Sequence, residues 1–451
     1  MKIEWTQIEI DDFGLPGEYP DIPKSVFEKR CEKTFAGANS DWVVVYGDRE
    51  HFANLMYLTN FDPRFEEAIL LLGANNKRVL YTGNEGIGYI DVIKPSVDVV
   101  LCQSFSLMGQ DRTKSPGLKD LFREAGIGPG QKIAVIGWKY LEDEEHENPF
   151  QQFFVPAYII DTLRDIVKDD AALFDATRIM IHPTEGLRTD NEAAQIAAFE
   201  WSAARVTASV LNIMKNAKPG MTELEAMLFM NYCGEPHTMH PTFSSGKVEI
   251  NGLRSPGTKK LEEGDILVLG FGYRGGAGCR AGLFKEEDED YLTRFAIPYY
   301  KGIATWYQEI GVGVSGDDIY EKITEVLAQG GLKQSLTSGH LSGLEEWLHS
   351  PTQPRYPGKL KSGMAWQSDI IPVPQFGYIA NCEDPLVLAD ENLRKQLEES
   401  FPDVWARIQK RQDFMRNKIG INIQDDVLPL SSMPAYFAPL WLSRSKVLAL
   451  V

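Results

Sequence analysis

Cysteine is scarce in this chain. Cys31, Cys102, Cys233, Cys279 and Cys382 are the only five in 451 residues, and no two form a C-x-x-C pair. That spacing excludes a disulfide scaffold and a zinc ribbon, and predicts reduced thiols in a cytoplasmic protein. Long apolar runs are missing too: none reaches the length needed to span a bilayer, so no membrane partner is expected. The opening MKIEWTQIEIDDFG has no apolar core behind a basic start, so no secretion signal is expected. Positive charge is in deficit, with 46 Lys and Arg against 64 Asp and Glu, a formal charge of −18. No local basic stripe offsets that field, which repels a phosphate backbone and argues against a nucleic-acid partner.

What remains is an ordinary globular composition, 43% hydrophobic over 451 residues, too long for one core and predicting two domains. The first part alternates β-rich runs with helical patterns. Trp42–Gly47, Ala68–Gly73, Arg78–Gly83, Val97–Gln103 and Lys132–Trp138 read as strands, short and rich in Val, Ile and Leu. Helical stretches lie near Lys24–Phe35, Gly117–Gly126 and Phe150–Arg164. This predicts an α/β domain over 1–174, a linker over 175–188 and a second domain over 189–451. The second domain opens on a capping box, Thr189 to Glu192, before an amphipathic helix whose Ile196, Phe199, Ala203, Val206, Val210 and Ile213 step by three and four. The helix stops before Pro219-Gly220, and Thr222 to Glu225 reads as another capping box. A weaker echo follows with a helix over Tyr300–Glu309, then GVGVSGDDIYEKI; it suggests a duplicated half-domain, although two helix stops can also coincide.

Several segments resemble, in order, the creatinase/aminopeptidase P family. They are ANLMYLTNF (Ala53–Phe61) with the strand AILLLG, GLRTDNEAAQIAAFEWSAARVTASVL, AKPGMTELE, LEEGDILVLGFG (Leu261–Gly272), TSGHLSGL (Thr337–Leu344), LKSGMAWQSD (Leu360–Asp369) and IANCEDPLVL (Ile379–Leu388). The resemblance runs from about residue 53 to 390 and implies an α/β N-terminal domain followed by an α+β pita-bread domain, a curved antiparallel sheet covered by helices with pseudo-twofold symmetry. It also implies a homodimer. Residues 391–451 exceed a minimal member and read as a helix plus a closing apolar segment.

The family's metallopeptidases hold two metal ions with two Asp, one His and two Glu, activating water and polarising the scissile carbonyl. The slot of the first Asp is Gly270 here, and the second falls in GCRA, 278–281; no acidic residue lies between Asp265 and Glu286. The His slot is His340, the first Glu slot is Asp369 and the second is Glu383. One imidazole and two carboxylates do not suffice to hold two dications at bridging distance, so no stoichiometric metal and no other cofactor is expected, although His plus two carboxylates is a legitimate set for a single weakly held ion. Creatinase, the family's metal-free precedent, uses a His before the GD strand; within Gly246–Asp265 that slot is Leu253 or Arg254, and no His lies between His240 and His340.

The candidate catalytic residues are therefore His340, Asp369, Glu383 and His240. Arg254 and Arg280 are candidates for binding a substrate carboxylate by bidentate hydrogen bonds, with His349, where the family often has a second His, beside them. Each also has a structural reading, as a solvated or ion-paired Arg or a satisfied His. Cys279 reads as a small buried thiol, since Arg280, its neighbour along a strand, faces the other way. Three functions remain open: a metal-independent hydrolase or lyase acting on a C–N bond of a small amino-acid-like substrate, a catalytically inactive relative that binds a ligand or partner, and a metal-dependent Xaa-Pro peptidase, which the missing Asp pair disfavours.

Overall fold

The Val- and Leu-rich runs of the N-terminal part become strands. In the computed structural model, which describes residues 1–247 and 252–451, Trp42–Gly47, Ala68–Gly73, Lys77–Thr82, Asp98–Leu101, Ile133–Ile136 and Leu173–Asp175 form one six-stranded sheet. Trp42–Gly47 runs antiparallel to Ala68–Gly73, which runs antiparallel to Lys77–Thr82; the outer pairings are parallel. Every residue of the two central strands is buried, as expected of strands whose two faces are both covered. Helices Leu118–Ala125 and Ala157–Val167 share a core with them through Leu121, Phe122, Ile159 and Leu163. This unit spans Ile22–Thr189. Residues 175–188, read above as a linker, carry buried side chains: Met180 and Ile181 on a helical turn, and Arg188, whose Nη1 donates to Asn54 Oδ1 at 2.9 Å.

The other unit joins Met1–Asp21 to Asp190–Val451. The strand Ile3–Gln7 pairs antiparallel with Lys446–Leu450, so the first residues of the chain fold with its end and not with the rest of 1–174. Helix Ala193–Asn216 buries the face its spacing predicts. Its expected capping box does not form. Thr189 lies in a 3-10 turn, where its hydroxyl donates to the Gly186 carbonyl at 2.8 Å, and Glu192, at the cap, makes no side-chain capping bond to the helix. The box of Thr222 and Glu225 is complete. Inside the long helix Glu200 is fully buried, and Arg407 and Arg411 both pair with it at 2.7 Å. That ion cluster ties helix Pro402–Phe414, from the segment beyond 391, to the helix that opens the unit.

Two antiparallel four-stranded sheets follow the same grammar of helix, Gly-rich stop, helix, strands. Ala193–Asn216 and Glu223–Met227 precede a sheet ordered Asn381–Glu383, Gly276–Leu283, Ile266–Tyr273, His237–Gly246. Ile297–Glu309 and Gly316–Gln329 precede one ordered His340–Leu341, Ala365–Gln367, Pro385–Leu388, Val427–Pro429. In the first, glycine permits a close approach: a Cβ on Gly276 would lie 2.9 Å from the Ala203 Cα of the long helix. The two sheets are joined at Asp384, the residue between Asn381–Glu383 and Pro385–Leu388, so the chain leaves one sheet and enters the other within a single step. The architecture is the pita-bread fold with an α/β N-terminal unit.

Candidate functional site

The join at Asp384 sets the site, because alternate residues of a strand face opposite ways. Glu383 lies opposite Cys279 and is buried on one face, while Asp384 turns to the other. There Arg280 Nη2 meets both Asp384 carboxylate oxygens at 2.9 and 2.8 Å, Nη1 donates to the Glu383 and Cys279 carbonyls, and Nε donates to the Tyr436 carbonyl. Arg280 is wholly buried with its donors engaged. The expectation that it binds a substrate carboxylate is thereby corrected: it clamps the join between the sheets from behind.

On the Glu383 side the second sheet brings His340. Gly339, at φ +84°, turns the chain so that the ring enters the core; a Cβ there would come within 2.8 Å of the Gln367 carbonyl. The Nδ1 of His340 lies 3.2 Å from the Leu341 carbonyl, so a proton on that nitrogen is directed to the backbone and Nε2 faces the carboxyl groups. Nε2 is 3.2 Å from Glu346 Oε1 and 4.0 Å from Asp369 Oδ2. The Glu346 contact is close but out of line, and Nε2 has no hydrogen-bond partner; the buried Glu383 Oε1 has none either. Trp347 stacks on the imidazole at 4.1 Å between ring centres, and Asn381 Nδ2 donates to Asp369 at 3.2 Å.

Burial alone would depress the His340 imidazole, but Glu346, followed by Asp369 and Glu383, holds it up at about 9. Burial raises Asp369 to about 6 against the pull of His340. Glu383 is pushed well above the ordinary carboxyl range by burial, then by Asp369 and Glu346. Cys279 is pushed well up by burial and by Glu383, which leaves a neutral thiol and no thiolate nucleophile. The ion-free cluster thus favours a charged imidazole among carboxyl groups, with Glu383 pushed toward its neutral form.

The structure brings together His340, Asp369 and Glu383 of the residues singled out above. Glu346 is absent from that set. It comes from the hairpin after His340, in which the Leu341 amide donates to the His349 carbonyl and the Leu348 amide returns to the Leu341 carbonyl; the two acidic residues of LSGLEEWLHS, past Gly343, were its only signal. The remaining candidates lie outside the cluster. His240 is exposed on its strand, and Arg254 is exposed, its carbonyl accepting from the Phe243 amide. His349 is half-buried, with Nδ1 accepting the Ser350 amide. Of Gly246–Asp265, residues 248–251 lie outside the described residues.

The slot of the first Asp carries no metal donor. Gly270 offers no donor, and the sulfur of Cys279, directly across the strand pair, lies 2.4 Å from where a Gly270 Cβ would stand. One ion does fit: donor atoms of His340, Glu346 and Glu383 all lie within 4.8 Å of one another.

No curated protein matches this sequence. Among solved structures the chain is similar to a prolidase from Thermococcus sibiricus, with 15% identity and a TM-score of 0.65 over 82% of this chain and 96% of that one. It is also similar to an Xaa-Pro dipeptidase from Bacillus anthracis, with 15% identity and a TM-score of 0.61 over 82% and 96%. A third match is an X-Pro aminopeptidase from Thermotoga maritima MSB8, with 16% identity and a TM-score of 0.58 over 80% and 96%. At such identities these matches establish the fold alone. The model of metallopeptidase family M24 matches residues 201–428, just over half the sequence and the stretch that holds every member of the buried cluster, and the chain belongs to that family.

Proposed function

We propose that this chain hydrolyses a C–N bond in a small amino-acid-like substrate, without the two-ion centre of a metallopeptidase and by proton transfer within the His340 cluster. The observation that carries the reading is the buried imidazole set among three carboxyl groups, beside a strand pair that presents Gly270 and the Cys279 thiol where acidic ligands would stand. In such a reaction water is added across the bond: its hydroxyl goes to the carbonyl carbon, and the leaving nitrogen takes a proton. His340 Nε2 holds that proton, and Glu346 and Asp369 stabilise the charged ring that carries it. With Arg280 turned away, the acidic surroundings suit the ammonium or N–H end of a ligand and not its carboxylate. An ion held by His340, Glu346 and Glu383 would take the Nε2 lone pair in place of that proton and would polarise the carbonyl instead, so the proton chemistry belongs to the ion-free protein. We further take the protein to act as a cytoplasmic homodimer, where its free cysteines stay reduced.

The test is turnover of dipeptides, Xaa-Pro dipeptides among them, amino-acid amides and guanidino compounds by chelator-treated protein. Hydrolysis of one class, with kcat lowered about 100-fold in His340→Gln, is the expected result. Full activity in that variant, or activity that vanishes on chelation, would overturn it. A ligand-induced rise in thermal midpoint with no turnover would instead assign the pocket to binding by a catalytically inactive relative.

A further inference from the structure

We infer that the His340 cluster is a binding site for a single divalent transition ion, with Glu346 as a ligand. The donor atoms are His340 Nε2 and one carboxylate oxygen each from Glu346 and Glu383, all within 4.8 Å of one another. Two of them are buried atoms with no hydrogen-bond partner, His340 Nε2 and Glu383 Oε1. A polar atom removed from water and left unpaired is costly, so the space they share favours an occupant that takes lone pairs. The ring is already held for that role. Nδ1 is directed to the Leu341 carbonyl and Trp347 covers one face, which fixes the tautomer and the aim of Nε2 as outer-shell contacts do in metal sites. Asp369 stands 4.0 Å from Nε2, held by Asn381, a further carboxylate to balance a dication.

The inference rests on the reading above that the second ion's ligands are gone, and it amends the expectation of a metal-free pocket. Among the described residues donors gather for one ion, since Gly270 has no side chain and Cys279 fills the space beside it. Two of its donors, His340 and Glu383, stand at slots of the two-ion set, and the third, Glu346, is delivered by the hairpin that follows His340. One nitrogen and two or three oxygens suit Mn²⁺, Fe²⁺, Co²⁺ or Zn²⁺ over the hard all-oxygen cations. The competing account is an imidazolium ion-paired with Glu346 at 3.2 Å, which has no use for a metal.

Metal-free protein titrated with Co²⁺ and with Mn²⁺, by calorimetry and by the resonance signal of free Mn²⁺, separates the two. One ion per chain is expected. Glu346→Gln and Glu383→Gln should each weaken binding at least tenfold, while Glu345→Gln, next in sequence but outside the donor set, should leave it unchanged. No binding at millimolar ion, two ions per chain, or an affinity untouched by Glu346→Gln would overturn the inference. Circular dichroism checks each variant, and should Glu383→Gln unfold, the half-buried Glu346 decides alone. Turnover of the chelated protein is read separately, so failure to bind an ion leaves the hydrolase proposal standing, and absence of turnover leaves the ion site standing.

Discussion

Gly270 and Cys279 face each other across one strand pair, and each is shaped by the other. A methyl group at 270 would stand 2.4 Å from the sulfur of the half-buried Cys279, far inside contact distance, so one of the two must shift. Gly270→Ala is therefore expected to cost about 1–3 kcal/mol, and Cys279→Ala in the same chain to recover most of it, a coupling that thermal midpoints of both single variants and the double will reveal. Additive midpoints would remove the packing argument. In the other unit, burial holds the Asp175 carboxyl up at about 7 against the hydrogen bonds of Thr177. Unfolded, the same carboxyl titrates near about 4. Between those values the folded chain binds more protons, so stability should fall as pH rises from about 4 to 7 and then level. Asp175→Asn should abolish that slope and melt a few degrees above the parent at pH 8; parallel melting curves from pH 5 to 8 would refute it. His340, Asp369 and Glu383 were legible in the sequence because the residues around each keep a recognisable order. Arg280 was misread because its charge suggested a ligand, although its place next to Cys279 on one strand already turned it away.

Among elements, the step from Asn381–Glu383 to Pro385–Leu388 is held by one fully buried ion pair. Arg280 and Asp384 make it, with Ser431 and the Ala435 amide satisfying the carboxylate further. Removing one partner strands a buried charge, so Arg280→Ala is expected to destabilise by about 3–5 kcal/mol and to disturb the pocket only through the fold. Denaturant unfolding measures the first. A stable Arg280→Ala protein with selectively lost ligand binding would return Arg280 to the pocket. Most elements could be read from apolar spacing: the five early strands and the face of Ala193–Asn216 follow periodicity alone. The capping box at Thr189 failed because the preceding turn takes its hydroxyl, a competition invisible in a four-residue motif. Glu346 stayed hidden because a hairpin, not a strand or helix period, folds it onto His340.

At the scale of the whole molecule, light scattering is expected to give twice the mass of one chain at micromolar concentration, and a monomer would count against the proposed homodimer. The formal charge of −18 gives the protein a field that draws cations, which agrees in sign with the acidic pocket. Of the nine tryptophans, Trp347 is 40% exposed and lies flat on the imidazole at the centre of the site. An indole in van der Waals contact with an imidazole loses part of its emission when that ring is charged and regains it when the charge is removed. The chain therefore carries its own optical gauge of the site. The difference in fluorescence between the parent and Trp347→Phe isolates the signal of this one indole from the other eight. It reports, without label or substrate, when anything reaches His340.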